Sequence, residues 1–114
     1  FLENPYPFMK MSDVFILSSN FEGLPNVLLE AQTLKLPIIS SNCPTGPREI
    51  LLDGKLGLLF KLNNQKDLEK KIIYSYKNRN VLKKFANKGY KFLYRFDENS
   101  NLSNYFYAIK KYLV

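Results

Sequence analysis

Residues 13–40 decide the fold, and they read DVFILSSNFEGLPNVLLEAQTLKLPIIS. Val14 to Leu17 are a continuous apolar run, which is typical of a buried parallel strand. After a loop, Pro25 suits the first position of a largely apolar helix that we predict from Val27 to Leu36, ending before the next proline. Ile38-Ile39-Ser40 is a second short buried strand. This succession predicts a parallel β-α-β unit with a right-handed connection.

The same alternation continues downstream. A turn-rich loop precedes one to two turns of helix at Arg48 to Leu52, and Gly57 to Phe60 form a third strand. The fold class is therefore α/β, a Rossmann-like parallel sheet with flanking helices. Three strands are fewer than the five or so of an ordinary sheet, so we expect the chain to be the C-terminal part of a longer protein.

Helical periodicity dominates the rest of the sequence, and we predict a single domain over 1–114 whose helical tail covers about 64–114. Asn64 can cap a helix that runs to about Lys77, and Asp97 can cap a later one. Each helix carries an apolar stripe that we expect to pack inward. The three stripes are Leu68, Ile72, Ile73 and Tyr76; Leu82, Phe85, Ala86, Tyr90 and Leu93; and Leu102, Tyr105, Phe106, Ile109 and Leu113.

The composition of the chain excludes several kinds of functional site. The 114 residues are 46% hydrophobic and 24% charged, which is globular. Cys43 is the sole cysteine and there is no histidine, so a disulfide framework, the usual zinc sites and histidine acid–base catalysis are excluded. We predict neither a metal nor a cofactor. Without a long apolar run or a signal peptide, we expect a cytoplasmic location, with the inner face of the membrane as an alternative.

The net charge of +7 is concentrated in one half of the chain. Residues 1–60 carry four basic and six acidic side chains, whereas residues 61–114 carry thirteen and four. A basic region of this kind can bind nucleic acid, anionic lipid or a phosphorylated substrate, and the alternative is a solvated lysine-rich surface. There is no arginine-rich tract, which argues against a dedicated nucleic-acid reader.

Glu22 and Glu30 are the first candidate functional residues. Seven residues separate them, and the helix N-terminus between them favours an anionic phosphate through its free N–H groups and its dipole. The carboxylates can accept hydrogen bonds from sugar hydroxyls, so the arrangement suits a nucleotide sugar. The alternative is purely structural, with Glu30 in solvent and Glu22 capping a neighbouring N–H.

The approach to this helix, Gly23-Leu24-Pro25-Asn26-Val27, would supply the backbone N–H groups. Gly23 lets the backbone come close to a ligand, although an ordinary loop-to-helix junction would use the same residues. In doubly wound folds ligands bind beyond the carboxyl ends of the strands, where this loop lies.

A second loop-to-helix junction, residues 45–49, follows the next strand. Arg48 can pair with a phosphate, with Glu49 or with Asp53, and Thr45 can serve as a structural cap. Cys43 is interpreted as an inert small residue.

The run Ser18-Ser-Asn-Phe-Glu-Gly-Leu-Pro-Asn-Val-Leu-Leu-Glu-Ala31 resembles the family-4 group of GT-B glycosyltransferases. The resemblance covers roughly residues 4–75 in register. Further matches are Asn4-Pro-Tyr-Pro7, Ser12-Asp-Val14, Leu36-Pro-Ile-Ile39, Cys43-Pro-Thr-Gly-Pro-Arg-Glu-Ile50 and the Gly54/Gly57-Leu-Leu59 turn. It is most similar to bacterial enzymes that extend surface polysaccharides, lipopolysaccharide or lipid-linked oligosaccharides.

The resemblance implies the donor-binding part of a retaining glycosyltransferase. Glu22 would hydrogen-bond the hydroxyls of the transferred hexose or N-acetylhexosamine, the backbone of Gly23 to Val27 would contact the diphosphate, and Glu30 would hold the ribose. The donor would be a UDP- or GDP-sugar, and no metal would be needed. Because the leaving phosphate is thought to help deprotonate the acceptor in this family, no protein nucleophile is implied.

The resemblance also implies that two functional parts of such an enzyme lie outside these 114 residues. The basic residues that neutralise the diphosphate, and the domain that binds a glycan or polyprenyl-linked acceptor, normally precede it. We therefore expect the 114-residue chain alone to be inactive in transfer. The alternatives are a non-catalytic nucleotide-sugar-binding or assembly module, and a binder of anionic membranes or nucleic acid that uses the basic half of the chain. A homodimer through the last helix, at Tyr105 and Phe106, also stays open.

Overall fold

Three short parallel strands form the sheet. The structure is a computed structural model, and it describes residues 6–18, 26–43 and 46–93. The strands lie in the order β1-β2-β3, with Phe15 opposite Ile38 and Ile39 opposite Leu58. Their bounds are β1 Phe15–Leu17, β2 Ile38–Ser41 and β3 Leu58–Phe60. The predicted α/β parallel sheet is confirmed.

Five helices accompany the strands in the described part of the chain. They are α1 Tyr6–Met11, α2 Asn26–Thr33, α3 Pro47–Ile50, α4 Gln65–Lys77 and α5 Arg79–Lys91. Pro7 is the second residue of α1, in the first turn where proline removes no helical hydrogen bond. The helix predicted after Asp97 lies outside the described residues.

The central strand is fully covered and the first is not. All four residues of β2 are buried, and β2 has a strand on each side. In β1 Phe15 and Leu17 are half-buried, and Ile16 is 39% exposed. The first strand is therefore less buried than we predicted. Among the described strands β1 pairs with β2 alone, so one of its edges has no strand beside it.

Helix α2 ends earlier than predicted. The helix stops at Thr33, and Lys35 adopts a left-handed backbone conformation with φ 56°. Lys35 N–H donates to the Gln32 carbonyl at 3.0 Å and Leu36 N–H to the Ala31 carbonyl at 3.0 Å. These two bonds satisfy carbonyls at the helix end in the Schellman pattern. A local capping motif thus ends α2 before Pro37.

Helix α4 begins where the sequence predicts. The Asn64 side-chain oxygen accepts the Asp67 N–H at 2.9 Å, which caps the helix. The Asp67 carboxylate in turn accepts the Lys61 N–H at 2.7 Å and lies 3.8 Å from the Lys71 ammonium. The Lys61 hydrogen bond is the main reason that the pKa of Asp67 is lowered, with the Lys71 charge adding to it.

The apolar stripe of α4 does not pack inward as predicted. None of the residues of α4 is buried, and the side chains that we expected to pack inward are instead 38% (Ile72), 54% (Ile73) and 72% (Tyr76) exposed. Leu68 is half-buried, and Asp67, Lys71 and Ser75 are also half-buried. At about 100° per residue these four lie on one side of the helix, with Ile73 and Tyr76 turned away from it. The covered face of α4 is therefore its more polar one.

Helix α5 packs against α2 and α4. Leu82, Ala86 and Leu93 are buried, and Phe85 and Tyr90 are half-buried. The expected second stripe is confirmed, and it closes the core over the fully buried Leu28 and Leu29 of α2.

A buried amide lies in the seam between α2 and α5. Gln32 is 1% exposed, and its Nε2 donates to the Ile50 carbonyl at 3.4 Å. Its Oε1 has no hydrogen-bond partner among the described residues. A Cβ atom placed on Gly89 would lie 3.2 Å from Gln32 Nε2, so the glycine is what allows the two helices to approach.

Candidate functional site

The candidate site lies at the carboxyl edge of the sheet. Helix α2 begins at Asn26 beyond the carboxyl end of β1, and α3 begins at Pro47 beyond the carboxyl end of β2. Because parallel strands end at the same edge, the two helix starts face the same side of the sheet. The first turn of α2 carries no acidic side chain. No negative charge within that turn therefore offsets the positive end of the helix dipole.

Glu30 lies on the helix that begins at this edge. Its immediate neighbours Leu29 and Ala31 are fully buried, and Glu30 itself is half-buried. This carboxylate is therefore partly covered rather than fully in solvent. A half-buried carboxylate near a helix N-terminus can accept hydrogen bonds from ligand hydroxyls. Its role in binding stays a prediction.

The remaining members of the predicted site fall where the structure gives no description. Glu22, Gly23, Leu24 and Pro25 lie outside the described residues, and of Asn26 the backbone alone is described. Val27 is half-buried at the first turn of α2. The structure therefore places Val27 and Glu30 on the helix that begins at the carboxyl edge.

Arg48 has structural partners at the same edge. Its Nε donates to Asn42 Oδ1 at 3.0 Å and lies 3.8 Å from Asp53 Oδ1. Of the partners that we weighed, Asp53 is present at ion-pair distance. The sequence analysis did not identify Asn42. Its position could have indicated it, because Asn42 is the first residue after β2 and the strands end at this edge. About half of the Arg48 side chain stays exposed. Thr45 lies outside the described residues, and the N-cap of α3 is Gly46, with no side-chain cap bond.

Cys43, which the sequence analysis interpreted as an inert small residue, is fully buried. Its Sγ lies 3.4 Å from the Ser41 hydroxyl. In the described ranges, the cysteine and the acidic side chains form no group of three that could hold a metal ion. None of the helices described is both long and apolar enough to cross a bilayer.

A cavity in the described part of the chain lies at the opposite end of the sheet. Its volume is about 480 Å³, and its walls include Val14, which precedes β1, and Pro37, which precedes β2. These residues mark the amino edge, so this cavity is separate from the helix starts at the carboxyl edge. Fold rules place ligands at the carboxyl edge, and for that reason we place the candidate site there and not in this cavity.

Comparison with known proteins gives a family match over most of the chain. The family model described as glycosyl transferases group 1 matches residues 1–92. An uncharacterized glycosyltransferase of Methanocaldococcus jannaschii is 57% identical over 49 residues, which are 43% of this chain and 12% of that protein.

Two further relatives have named activities. The first, from Campylobacter jejuni, is N-acetylgalactosamine-N,N'-diacetylbacillosaminyl-diphospho-undecaprenol 4-alpha-N-acetylgalactosaminyltransferase, and it is 32% identical over 60% of this chain and 19% of its own length. The second is the lipopolysaccharide 1,6-galactosyltransferase of Salmonella typhimurium, which is 42% identical over 46% of this chain and 14% of its own length. The matched region thus spans no more than about a fifth of these relatives.

Proposed function

Since the chain belongs to the glycosyl transferases group 1 family, we propose that it is the donor-binding part of a retaining glycosyltransferase with a GT-B architecture. The donor is a UDP- or GDP-linked hexose or N-acetylhexosamine, and the acceptor is a growing glycan or a polyprenyl-linked saccharide bound by another part of a longer protein. The observation that carries the proposal is the position of α2, which begins beyond the carboxyl end of β1 and carries the half-buried Glu30.

Each group in the proposed site has one task. The backbone N–H groups of Gly23, Leu24, Asn26 and Val27 bind the diphosphate, whose charge is also favoured by the dipole of α2. Glu30 accepts hydrogen bonds from the ribose hydroxyls, and Glu22 accepts them from the hydroxyls of the transferred sugar. With both carboxylates engaged by hydroxyls, neither acts as a glycosidase-type acid, and the leaving phosphate assists deprotonation of the acceptor. The proposal requires no metal.

The names of the relatives support the choice of substrates. One relative transfers N-acetylgalactosamine to a diphospho-undecaprenol-linked acceptor, and another transfers galactose in lipopolysaccharide synthesis. The proposed reaction belongs to polysaccharide or lipopolysaccharide synthesis in the cytoplasm, at the face of the membrane where lipid-linked acceptors are present.

Nucleotide binding tests the proposed site. UDP and GDP are titrated against the whole chain by calorimetry, with Glu30→Gln compared with Glu69→Gln, an exposed carboxylate on α4. Loss of hydrogen bonds to a charged group is worth about 1.5–3 kcal/mol, so we expect Glu30→Gln to weaken binding roughly ten- to hundredfold. Glu69→Gln should leave it unchanged. Equal affinities of the two variants would contradict the assignment of Glu30.

Transfer assays separate an enzyme part from a non-catalytic module. In the longer protein that contains this sequence, Glu22→Ala should abolish transfer while the circular dichroism spectrum stays native. Unchanged transfer would favour the module. The 114-residue chain by itself should not transfer sugar from any UDP- or GDP-sugar.

A further inference from the structure

A cationic groove lies at the amino edge of the sheet, away from the candidate donor site. Its apolar walls come from residues at the ends of α2 and α5 and from Ile72 and Tyr76 of α4. Four cations border the groove against one carboxylate, Asp13. They are Lys10, Lys35, Arg79 and Lys83.

Two cations of the groove, Arg79 and Lys83, are not neutralised by carboxylates in the described part of the chain. Among the described residues, neither Arg79 nor Lys83 takes part in an ion pair; the two pairs present are Arg48–Asp53 and Lys71–Asp67. The Arg79 guanidinium instead lies 5.3 Å from the centroid of the Tyr76 ring. Helices α4 and α5 together carry nine basic and two acidic side chains, so the surrounding field is positive as well.

Large apolar side chains stand beside these cations. Tyr76 is 72% exposed and Ile73 is 54% exposed, and within α4 they lie three positions apart on neighbouring parts of its surface. Helix α1 borders the groove through Lys10 and exposes Phe8 and Met11. An exposed apolar patch rimmed by polar groups marks an interaction surface.

We propose that this groove docks the protein on an anionic lipid surface, with the cations at the headgroup phosphates and Tyr76, Ile72 and Ile73 at the boundary with the acyl chains. Basic side chains beside exposed aromatic and aliphatic ones are the features of an interfacial membrane contact. The groove lies at the opposite edge from the start of α2, so a docked protein keeps that edge open to water-soluble ligands.

Other occupants fit the groove less well. A second copy bound by a two-fold axis would bring the same cations together, and like charges repel. Nucleic acid would satisfy the cations, but the branched aliphatic side chains of Ile72 and Ile73 neither stack on bases nor hydrogen-bond their edges. An anionic lipid surface uses both the charge and the apolar side chains.

Vesicle partitioning tests the proposal independently of nucleotide binding. The whole chain is sedimented with vesicles of phosphatidylcholine alone and of phosphatidylcholine with phosphatidylglycerol. The variant Arg79→Glu/Lys83→Glu is compared with Lys84→Glu/Lys88→Glu, which makes the same charge change on exposed residues of α5 that do not line the groove. Each cation near an anionic surface strengthens partitioning by roughly fivefold. We expect the groove variant to lose roughly twentyfold or more, and the control variant clearly less.

Four results would overturn the proposal. The first is equal partitioning of the chain to both vesicle types, and the second is an equal loss of partitioning in the two charge variants. The third is unchanged partitioning of a folded Tyr76→Ser variant. The fourth is binding to a single-stranded oligonucleotide that Arg79→Glu/Lys83→Glu abolishes while vesicle binding persists. A shift of Tyr76→Ser from dimer to monomer on size exclusion would instead assign the groove to a contact between copies. Nucleotide titration of the same variants should be unaffected, so failure here leaves the donor-site proposal to its own test.

Discussion

Substituting Gly89 by alanine should destabilise the fold, although the same change in an exposed helix is favourable. Alanine has a higher helix propensity than glycine by about 0.8–1.0 kcal/mol. At this position, however, the new Cβ would lie 3.2 Å from Gln32 Nε2 and 3.5 Å from its Cγ and Cδ. Gln32 is buried, and its bond to the Ile50 carbonyl is already 3.4 Å long. Overpacking costs about 1–3 kcal/mol and the hydrogen bond about 1 kcal/mol. The net expectation is a loss of about 1–3 kcal/mol.

A double-mutant cycle gives this prediction its sharpest form. The three heavy atoms nearest to the added Cβ all belong to Gln32. In a Gln32→Ala background, Gly89→Ala should therefore be stabilising by about 1 kcal/mol, its helix propensity alone. Urea unfolding followed by circular dichroism measures both effects. A stabilising Gly89→Ala in the native background, or additive substitutions, would refute the packing described between α2 and α5.

Three further predictions concern stability. Asn64→Ala should lower the free energy of unfolding by about 1 kcal/mol in urea titrations, because it removes the cap of α4; Asn87→Ala, at an exposed site within α5, should not. The folded-state pKa of Asp67 is lowered, so its charge stabilises the protein above the unfolded pKa of about 3.9, and that stabilisation is lost as the pH falls through the folded value. The stability difference between the native chain and Asp67→Asn should thus shrink below about pH 4, and a constant difference in thermal midpoint would contradict it. Gly57→Ala should cost about 1–3 kcal/mol, because its Cβ would lie 3.0 Å from the Ile38 carbonyl oxygen, and an unchanged unfolding midpoint would exclude that contact.

The strands and the start of α4 could be predicted from local sequence. Apolar runs of three or four residues between turn signals mark the strands, and the Asn64 cap depends on contacts within a few residues. The position of Glu30 was also predictable, because its helix offers few polar neighbours to share a solvated face. These features require no knowledge of what lies across the fold.

The sequence by itself determined the class of the fold, the order of its elements and the helix that carries Glu30, since these follow from periodicity and capping along the chain. Tertiary structure alone decided which side of α4 is covered and that Gln32 is buried against Gly89. The physical reason is that an apolar stripe specifies a preference for burial but not the neighbour that provides it. For Ile73 and Tyr76, the described neighbours cover the opposite face of α4, and these side chains are left on the surface.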